Sequence, residues 1–304
     1  MGSSFSNDLP HLVVGGDSMV GAALAAALRQ GGQTVHATTR RQESHGPDRP
    51  LLDLARPQDW PEAFPARYGA AHICAAVARL DDCFRDPHGT HAINVTNMVA
   101  LARRLAADGT QVIFLSTNQV LDGSLPFPDE TAAVVPSNVY GQQKAAAERA
   151  LQDLAADMPE AVVTILRLSK VLPPHLPLFT DWADSLAQGR PIDAAVDMSL
   201  APVPVSLVVD ALRRLAGARL PGLFQLSSAL EIDYAAAGYH LCRYLAADPV
   251  LVRPVRAVAA GYVLEQPPRH TIMDSGKLAR AVGIQAPDPL AVLDDLFANL
   301  PPHP

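Results

Sequence analysis

The chain has 304 residues, enough for one large domain or two interlocked ones around a sizeable core. Hydrophobic residues make up 49% and charged residues 18%, a globular balance that excludes a disordered chain. A net charge of -7 argues against general binding to nucleic acid or to an anionic membrane, though a local basic pocket for an anionic ligand remains compatible with it.

The opening MGSSFSNDLP lacks a basic stretch followed by an apolar core, so no signal peptide is expected. No apolar run reaches membrane-spanning length. Cys74, Cys83 and Cys242 form no CxxC pair and share no zinc spacing with histidine. His11, His36, His72, His88 and His91 are scattered without ligand spacing, so no metal site is expected. This cysteine usage fits a reducing compartment, and a cytoplasmic location is the expectation.

Apolar runs then alternate with helical patterns, which predicts a parallel sheet covered by helices. HLVVGG reads as a first strand, and MVGAALAAALRQGG as a helix closed by a glycine pair. QTVHATT is a second strand and AAHICAA a third. THAINVTNMVALARRLAADG is a long helix, TQVIFLST a fourth strand, VYGQQKAAAERALQDLAAD another long helix, and AVVTILRLS a fifth strand. Residues 1–170 therefore form a doubly wound α/β domain. After 170 the chain is rich in proline and loses this rhythm. LVVDALRRLAGARL and GLFQLSS, within 205–228, return to the first domain. Residues 171–204 and 229–304 make a smaller C-terminal domain.

GGDSMVG, positions 15 to 21, follows the first strand and opens an alanine-rich helix. A dinucleotide site needs a tight turn here, so that the free N–H groups of the helix N-terminus meet a pyrophosphate. Gly15 supplies the turn and Gly21 the close helix–strand packing. Ser18 stands where the middle glycine of the pattern is usual, and its hydroxyl adds a donor for phosphate. The second strand ends without an acid and runs into Arg40 and Arg41, which favours NADP(H) over NAD(H), because arginine pairs with a 2′-phosphate. In LLDLA, Asp53 either accepts from the adenine amino group or caps the next helix, with Leu54 beside it.

Tyr140 and Lys144 lie one turn apart on one helix face. An ammonium beside a phenol lowers the phenol's pKa and can bond a nicotinamide ribose, while the phenol exchanges a proton with a substrate carbonyl oxygen. FLSTNQVLDG offers Ser116 and Thr117 at a strand end to hold that oxygen.

These motifs resemble an extended short-chain dehydrogenase/reductase of the dTDP-4-dehydrorhamnose reductase-like, sugar-nucleotide-binding branch. STNQVLDG is similar to that branch's S-T-D-Y-V-F-D-G. PFPDETAAVVPSNVYGQQKAAAE is similar to its P-Y-x-E-x-D-x-x-x-P-x-x-x-Y-G-x-S-K-x-x-G-E. HICAAVARLDDCFRDP, GRPIDAAVDMSLAPVPV and RHTIMDSGKLARAVGI resemble further segments, so the likeness spans nearly the whole chain. It implies a Rossmann-type fold with a smaller substrate domain, NADP as cofactor and a keto group of a nucleotide-activated sugar as substrate.

The resemblance also implies a Thr117, Tyr140, Lys144 triad. Gly15, Ser18, Met19, Val20 and Gly21 would hold the pyrophosphate, with Asp17 in the same turn, while Ala75 and Ala76 line the cofactor. The chain departs from the pattern at Ser18, at Asn118 and at Lys170, which stands where the rhamnose reductases tend to carry tryptophan. Asn118, Lys170 and Arg190 are accordingly the candidate substrate contacts, the two cations for an anionic group. A nucleotide-sugar epimerase and a non-catalytic NADP-binding regulatory subunit are the alternatives. The likeness also implies a homodimer through the helices that begin near Asn94 and Val139.

Overall fold

The computed structural model describes residues 9–62, 64, 66–261 and 268–300. Strand β1 (His11–Val14) leads through the glycine turn into α1 (Met19–Gln30), then β2 (Val35–Ala37) and β3 (Ala70–Ile73). Two short helices, α2 (Leu80–Arg85) and α3 (Pro87–His91), run into a π-helical segment at Ala92–Asn97 and on into α4 (Met98–Ala107). Next come β4 (Gln111–Thr117), α5 (Val139–Asp157), β5 (Val163–Leu168), β6 (Lys170–Leu172), α6 (Pro177–Ala187), β7 (Ile192–Ala195), β8 (Ser199–Leu200) and β9 (Pro202–Pro204). The chain continues as α7 (Val205–Ala218), β10 (Gly222–Leu226), β11 (Ile232–Asp233), α8 (Tyr234–Tyr244), β12 (Val252–Val255), α9 (Gly276–Val282) and α10 (Pro289–Phe297).

Six strands form the central sheet in the order β10-β5-β4-β3-β1-β2. β1 pairs in parallel with β2 on one side and with β3 on the other, and β3 pairs in parallel with β4. The strands are continuous apolar runs because both faces are covered: all six residues of β5 are buried, and Leu12, Val13 and Val14 of β1 have no exposure. Strand order reverses at β1, so the crevice beyond its C-terminal end, where the glycine turn lies, is where such a fold takes a ligand. The doubly wound, Rossmann-type reading of the sequence holds.

The chain divides into two compact units. The first comprises the chain up to Leu121, Val134–Arg167 and Ser206–Phe224. Its core gathers Leu12, Leu101, Phe114, Leu151 and Ile165 from strands and helices in turn. The second comprises Asp122–Ala133, Leu168–Val205 and the chain from Gln225 onward. It contains three two-stranded pairings, β11 with β8, β12 with β7 and β6 with β9, around a core that includes Phe179, Trp182, Leu241 and Phe297. The proline-rich region after 170 is thus more regular than its composition predicts. Its strands have two to four residues each, too short to display a period-2 pattern.

One buried polar pair has a thermodynamic consequence. His72, in the middle of β3, has no exposed surface, and its Nε2 lies 3.2 Å from His11 Nδ1 on β1. Its Nδ1 is buried without a hydrogen-bond partner. Burial, reinforced by the neighbouring His11, pushes the His72 pKa down to about 3, so the folded protein holds this ring neutral. An unfolded histidine titrates near 6.5, so between those values the unfolded chain binds the extra proton and stability falls as pH falls. We expect His72→Leu to gain on the wild type by about 1.4 kcal/mol per pH unit between pH 6 and 4, measured by urea unfolding. A stability difference independent of pH over that range would refute this account.

Candidate functional site

At the end of β1 the backbone turns through Gly15, whose φ of +85° is open to glycine at little cost. A Cβ at this position would also come within 2.8 Å of Ala75. Ser18 is the N-cap of α1: its Oγ accepts from Gly21 N at 3.1 Å and donates to Gly15 O at 2.7 Å. The expected phosphate donor is therefore committed within the turn, because the hydroxyl bridges a carbonyl and an amide that each lie three residues from Ser18. Serine stands in place of glycine as a cap. A side chain on Gly21 would meet Gly15 O at 2.3 Å. Met19 and Val20 begin the helix, and their N–H groups have no intrahelical acceptor, as in any first turn. This close, Cβ-free cradle at a helix N-terminus fits a dinucleotide pyrophosphate.

Asp17 turns away from the helix. It accepts from Thr39 Oγ1 at 2.7 Å and pairs with Arg49 at 2.5 Å. The Thr39 hydroxyl first, and Arg49 after it, hold the Asp17 carboxyl below the usual carboxylate range against the opposing effect of burial. Gly15 N donates to Thr38 Oγ1, and Gly16 N to Thr38 O. Arg40 and Arg41 follow at once and are exposed, with Arg41 N bonded to Thr39 Oγ1. Three arginines thus gather at the end of β2, and Arg49 was not foreseen because it lies eight residues further on, in a turn returned to the strand by the Thr39–Leu51 bridge. Asp53 Oδ1 accepts from Ala55 N at 2.9 Å in a local turn, and the next helical turn is capped at Arg56 instead, while Leu54 is buried.

Ala75 and Ala76 follow β3, with Ala75 against Gly15. The next residue, Val77, is held at both its backbone groups by Asn94: Oδ1 accepts from Val77 N at 2.8 Å and Nδ2 donates to Val77 O at 2.9 Å. Asn94 Nδ2 also donates to Gln143 Oε1 on α5 at 2.7 Å, and Gln143 Nε2 reaches Thr90 Oγ1. Asn94 sits in the π-helical segment, a local widening that turns one side chain out of its regular register. Its signal in the sequence was a fully buried amide in a helix that otherwise reads as amphipathic.

Thr117 ends β4 and is buried; its Oγ1 accepts from Gln119 N at 3.2 Å and donates to Asn118 Oδ1 at 3.3 Å. Asn138 caps α5 by accepting from Gly141 N and donates to Gln119 Oε1 at 2.8 Å. A Cβ on Gly141 would fall 2.1 Å from Gln119 O, so glycine lets the first turn of α5 settle on the loop after Thr117. Tyr140, the preceding residue, is thereby held near the C-terminal end of β4. Lys144 is 3% exposed; its ammonium donates to Leu115 O and lies 3.8 Å from the centroid of the Phe114 ring. Burial brings the Lys144 pKa down to about 7, against the opposing pull of Glu148 and Cys74.

Burial also pushes the Tyr140 phenol up to about 12. The expected lowering of this phenol by Lys144 is absent from this arrangement, because the ammonium is turned to the β4 carbonyl. Ser116, beside Thr117, donates to Glu148 Oε1 at 2.5 Å, and Glu148 pairs with Arg167 on β5. In the second unit, Lys170 is exposed on β6 and Arg190 is exposed after α6. Among the described residues, no group of three His, Cys, Asp or Glu side chains is placed to hold a metal, and no helix is long and apolar enough to cross a membrane.

Residues 11–300 match the family described as RmlD substrate binding domain. A dTDP-4-dehydrorhamnose reductase of Mycobacterium tuberculosis is 33% identical over 244 residues, covering 74% of this chain and 76% of that protein. In fold, the chain is similar to the dTDP-4-dehydrorhamnose reductase of Bacillus anthracis solved in complex with NADP, with a TM-score of 0.79, 18% identity, and coverage of 96% and 99% of the two chains. It is also similar to MoeE5 in complex with UDP-glucose and NAD, with a TM-score of 0.75, 21% identity, and coverage of 95% and 98%. The chain belongs to the RmlD family, the dTDP-4-dehydrorhamnose reductase-like branch of the extended short-chain dehydrogenases/reductases, and is an NAD(P)-dependent oxidoreductase of that type.

Proposed function

We propose that the protein is an NADP(H)-dependent reductase of a keto group on a nucleotide-activated sugar. The observation that supports this reading is that Thr117 ends β4 while Tyr140 and Lys144 stand in the first turns of α5, whose Gly141 rests on the loop after Thr117. The glycine cradle between β1 and α1 accompanies them on the same sheet. Support for the substrate class comes from the relatives named dTDP-4-dehydrorhamnose reductase.

In this reading Met19 and Val20 present their N–H groups to the pyrophosphate, Ala75 and Ala76 border the cofactor, and Arg40 and Arg41 pair with a 2′-phosphate. A bound nicotinamide supplies the hydride for the carbonyl carbon. Thr117 Oγ1 holds the carbonyl oxygen and Tyr140 Oη delivers the proton to it. A phenol pushed up to about 12 is fully proton-loaded at neutral pH, which suits donation in the reductive direction. Lys144 then has to leave Leu115 O and turn toward the phenolate and the nicotinamide ribose, where its charge stabilises the product state.

Residues 171–204 and 229–304 are assigned to substrate binding, with Asn118 beside the triad and Lys170 and Arg190 as the cations for the substrate's anionic groups. A homodimer through α4 and α5 belongs to the same reading.

Tyr140→Phe should reduce turnover of the accepted keto sugar by about 10²- to 10⁴-fold with little change in NADPH affinity; turnover at the wild-type rate removes Tyr140 from the mechanism. Calorimetry should find NADPH bound more tightly than NADH. Replacing both Arg40 and Arg41 by alanine should weaken NADPH by about 10- to 100-fold and leave NADH nearly unchanged. Equal losses for the two dinucleotides would overturn the 2′-phosphate assignment. Dinucleotide binding without any response to a panel of nucleotide sugars would favour a regulatory binding subunit.

A further inference from the structure

The reaction scheme leaves unused the largest fully buried side chain among the described residues, Arg167, and the carboxylate that faces it. Arg167 is 1% exposed and Glu148 is 3% exposed. The guanidinium is bidentate: Nε lies 3.0 Å from Oε1, and Nη2 lies 2.7 Å from Oε2. Ser116 Oγ supplies a further hydrogen bond to Oε1. Three elements therefore converge on one carboxylate: β4 through Ser116, β5 through Arg167 and α5 through Glu148 itself.

Two placements connect this group to the chemistry. Glu148 lies one turn after Lys144 on the same face of α5, and its carboxylate raises the proton affinity of that lysine. Ser116 lies between Leu115, whose carbonyl accepts from Lys144, and Thr117. The groups facing the Lys144 ammonium are the Leu115 carbonyl and Phe114 ring of β4, Cys74 at the end of β3, and, on its own helix, Glu148. Cys74 is held in its neutral thiol form, because burial pushes its pKa up to about 12. Of the groups around Lys144, Glu148 supplies the carboxylate one turn away on the same helix. Arg167 is the cation that faces this carboxylate where water is excluded.

We infer that Glu148 is a positioning residue of the active site: clamped by Arg167 and aligned by Ser116, it is the buried counter-charge of Lys144 one turn away and sets α5 against the strand end that carries Thr117. This inference rests on the reductase reading for its consequence in catalysis, while the charge coupling itself is a property of the protein without ligands. A merely structural ion pair would tie the same elements together without governing the protonation of Lys144.

The chain has three lysines, Lys144, Lys170 and Lys277, so a protein carrying carbon-13 at the lysine ε position gives three resonances. Arginine replacements of Lys170 and Lys277 assign them. In Glu148→Gln the midpoint of Lys144 should fall by about 1 to 3 pH units, with Lys170 and Lys277 unmoved. Glu148→Asp should restore most of the fall. The alkaline limb of the turnover profile should move to lower pH by the same amount, with KM little changed.

Should Glu148→Gln fail to fold around an unpaired Arg167, the double variant with Arg167→Met removes both charges at similar volume and is expected to show a fall in the same direction but smaller, because the loss of a nearby cation offsets part of it. A Lys144 midpoint equal to that of the wild type in whichever variant folds overturns the inference. The titration needs no cofactor or sugar, so a shifted midpoint in a protein that turns over no keto sugar sinks the reductase reading and leaves the coupling intact.

Discussion

A carboxylate and a guanidinium lie side by side where β4, α5 and β5 meet, and almost no water reaches either of them. Moving two such charges out of water is costly, and only near-ideal geometry and full hydrogen bonding offset it. Removing one partner and leaving the other alone costs about 3–5 kcal/mol in comparable buried pairs. The direction of the bidentate contact also restricts rotation of α5 about its axis. Gly141, resting on the Gln119 carbonyl, locates the same helix at its other end. Tyr140 adjoins Gly141 in sequence, and Lys144 stands between the two points. Their reach toward the end of β4 is a consequence of where the helix is held.

Dryness sets the electrostatics of this end of the sheet. The same burial that lifts the Tyr140 phenol depresses the Lys144 ammonium, since each is pushed toward its neutral form. A phenol that keeps its proton is a donor, and a lysine near neutrality needs a counter-charge to remain a cation. At the dinucleotide end the sign of the problem is reversed. Asp17 is ionised inside the turn, where an anion is also expected, and it is compensated by Thr39 and Arg49 rather than left as a bare charge. Ser18 spends its hydroxyl on the turn itself, which leaves anion contact to the backbone N–H groups of Met19 and Val20.

What a linear reading could recover follows from what each interaction depends on. The strands of the sheet and the helices over it were legible because burial on two faces demands unbroken apolar runs, and runs such as TQVIFLST have no other stable use. The glycine turn and the Tyr-x-x-x-Lys pair were legible because both are local, set by neighbours one helical turn away. Asn94, Arg49 and the Glu148–Arg167 pair were not assigned. The last left a trace, an arginine inside VVTILRLS and a glutamate inside QKAAAERAL, and a charge in an apolar run must find a partner. The trace does not say which partner, because the two residues are 19 apart and lie on different elements.

The sequence by itself determined the fold class, the glycine turn after β1 and the one-turn spacing of Tyr140 and Lys144, since these follow from periodicity and from spacings within a single element. The tertiary structure alone decided the use of the Ser18 hydroxyl, the direction of the Lys144 ammonium, the raised phenol of Tyr140 and the union of Glu148 with Arg167 and Ser116. Those depend on which atoms are near one another once water has been removed, and distance and desolvation exist only after the chain has closed on itself.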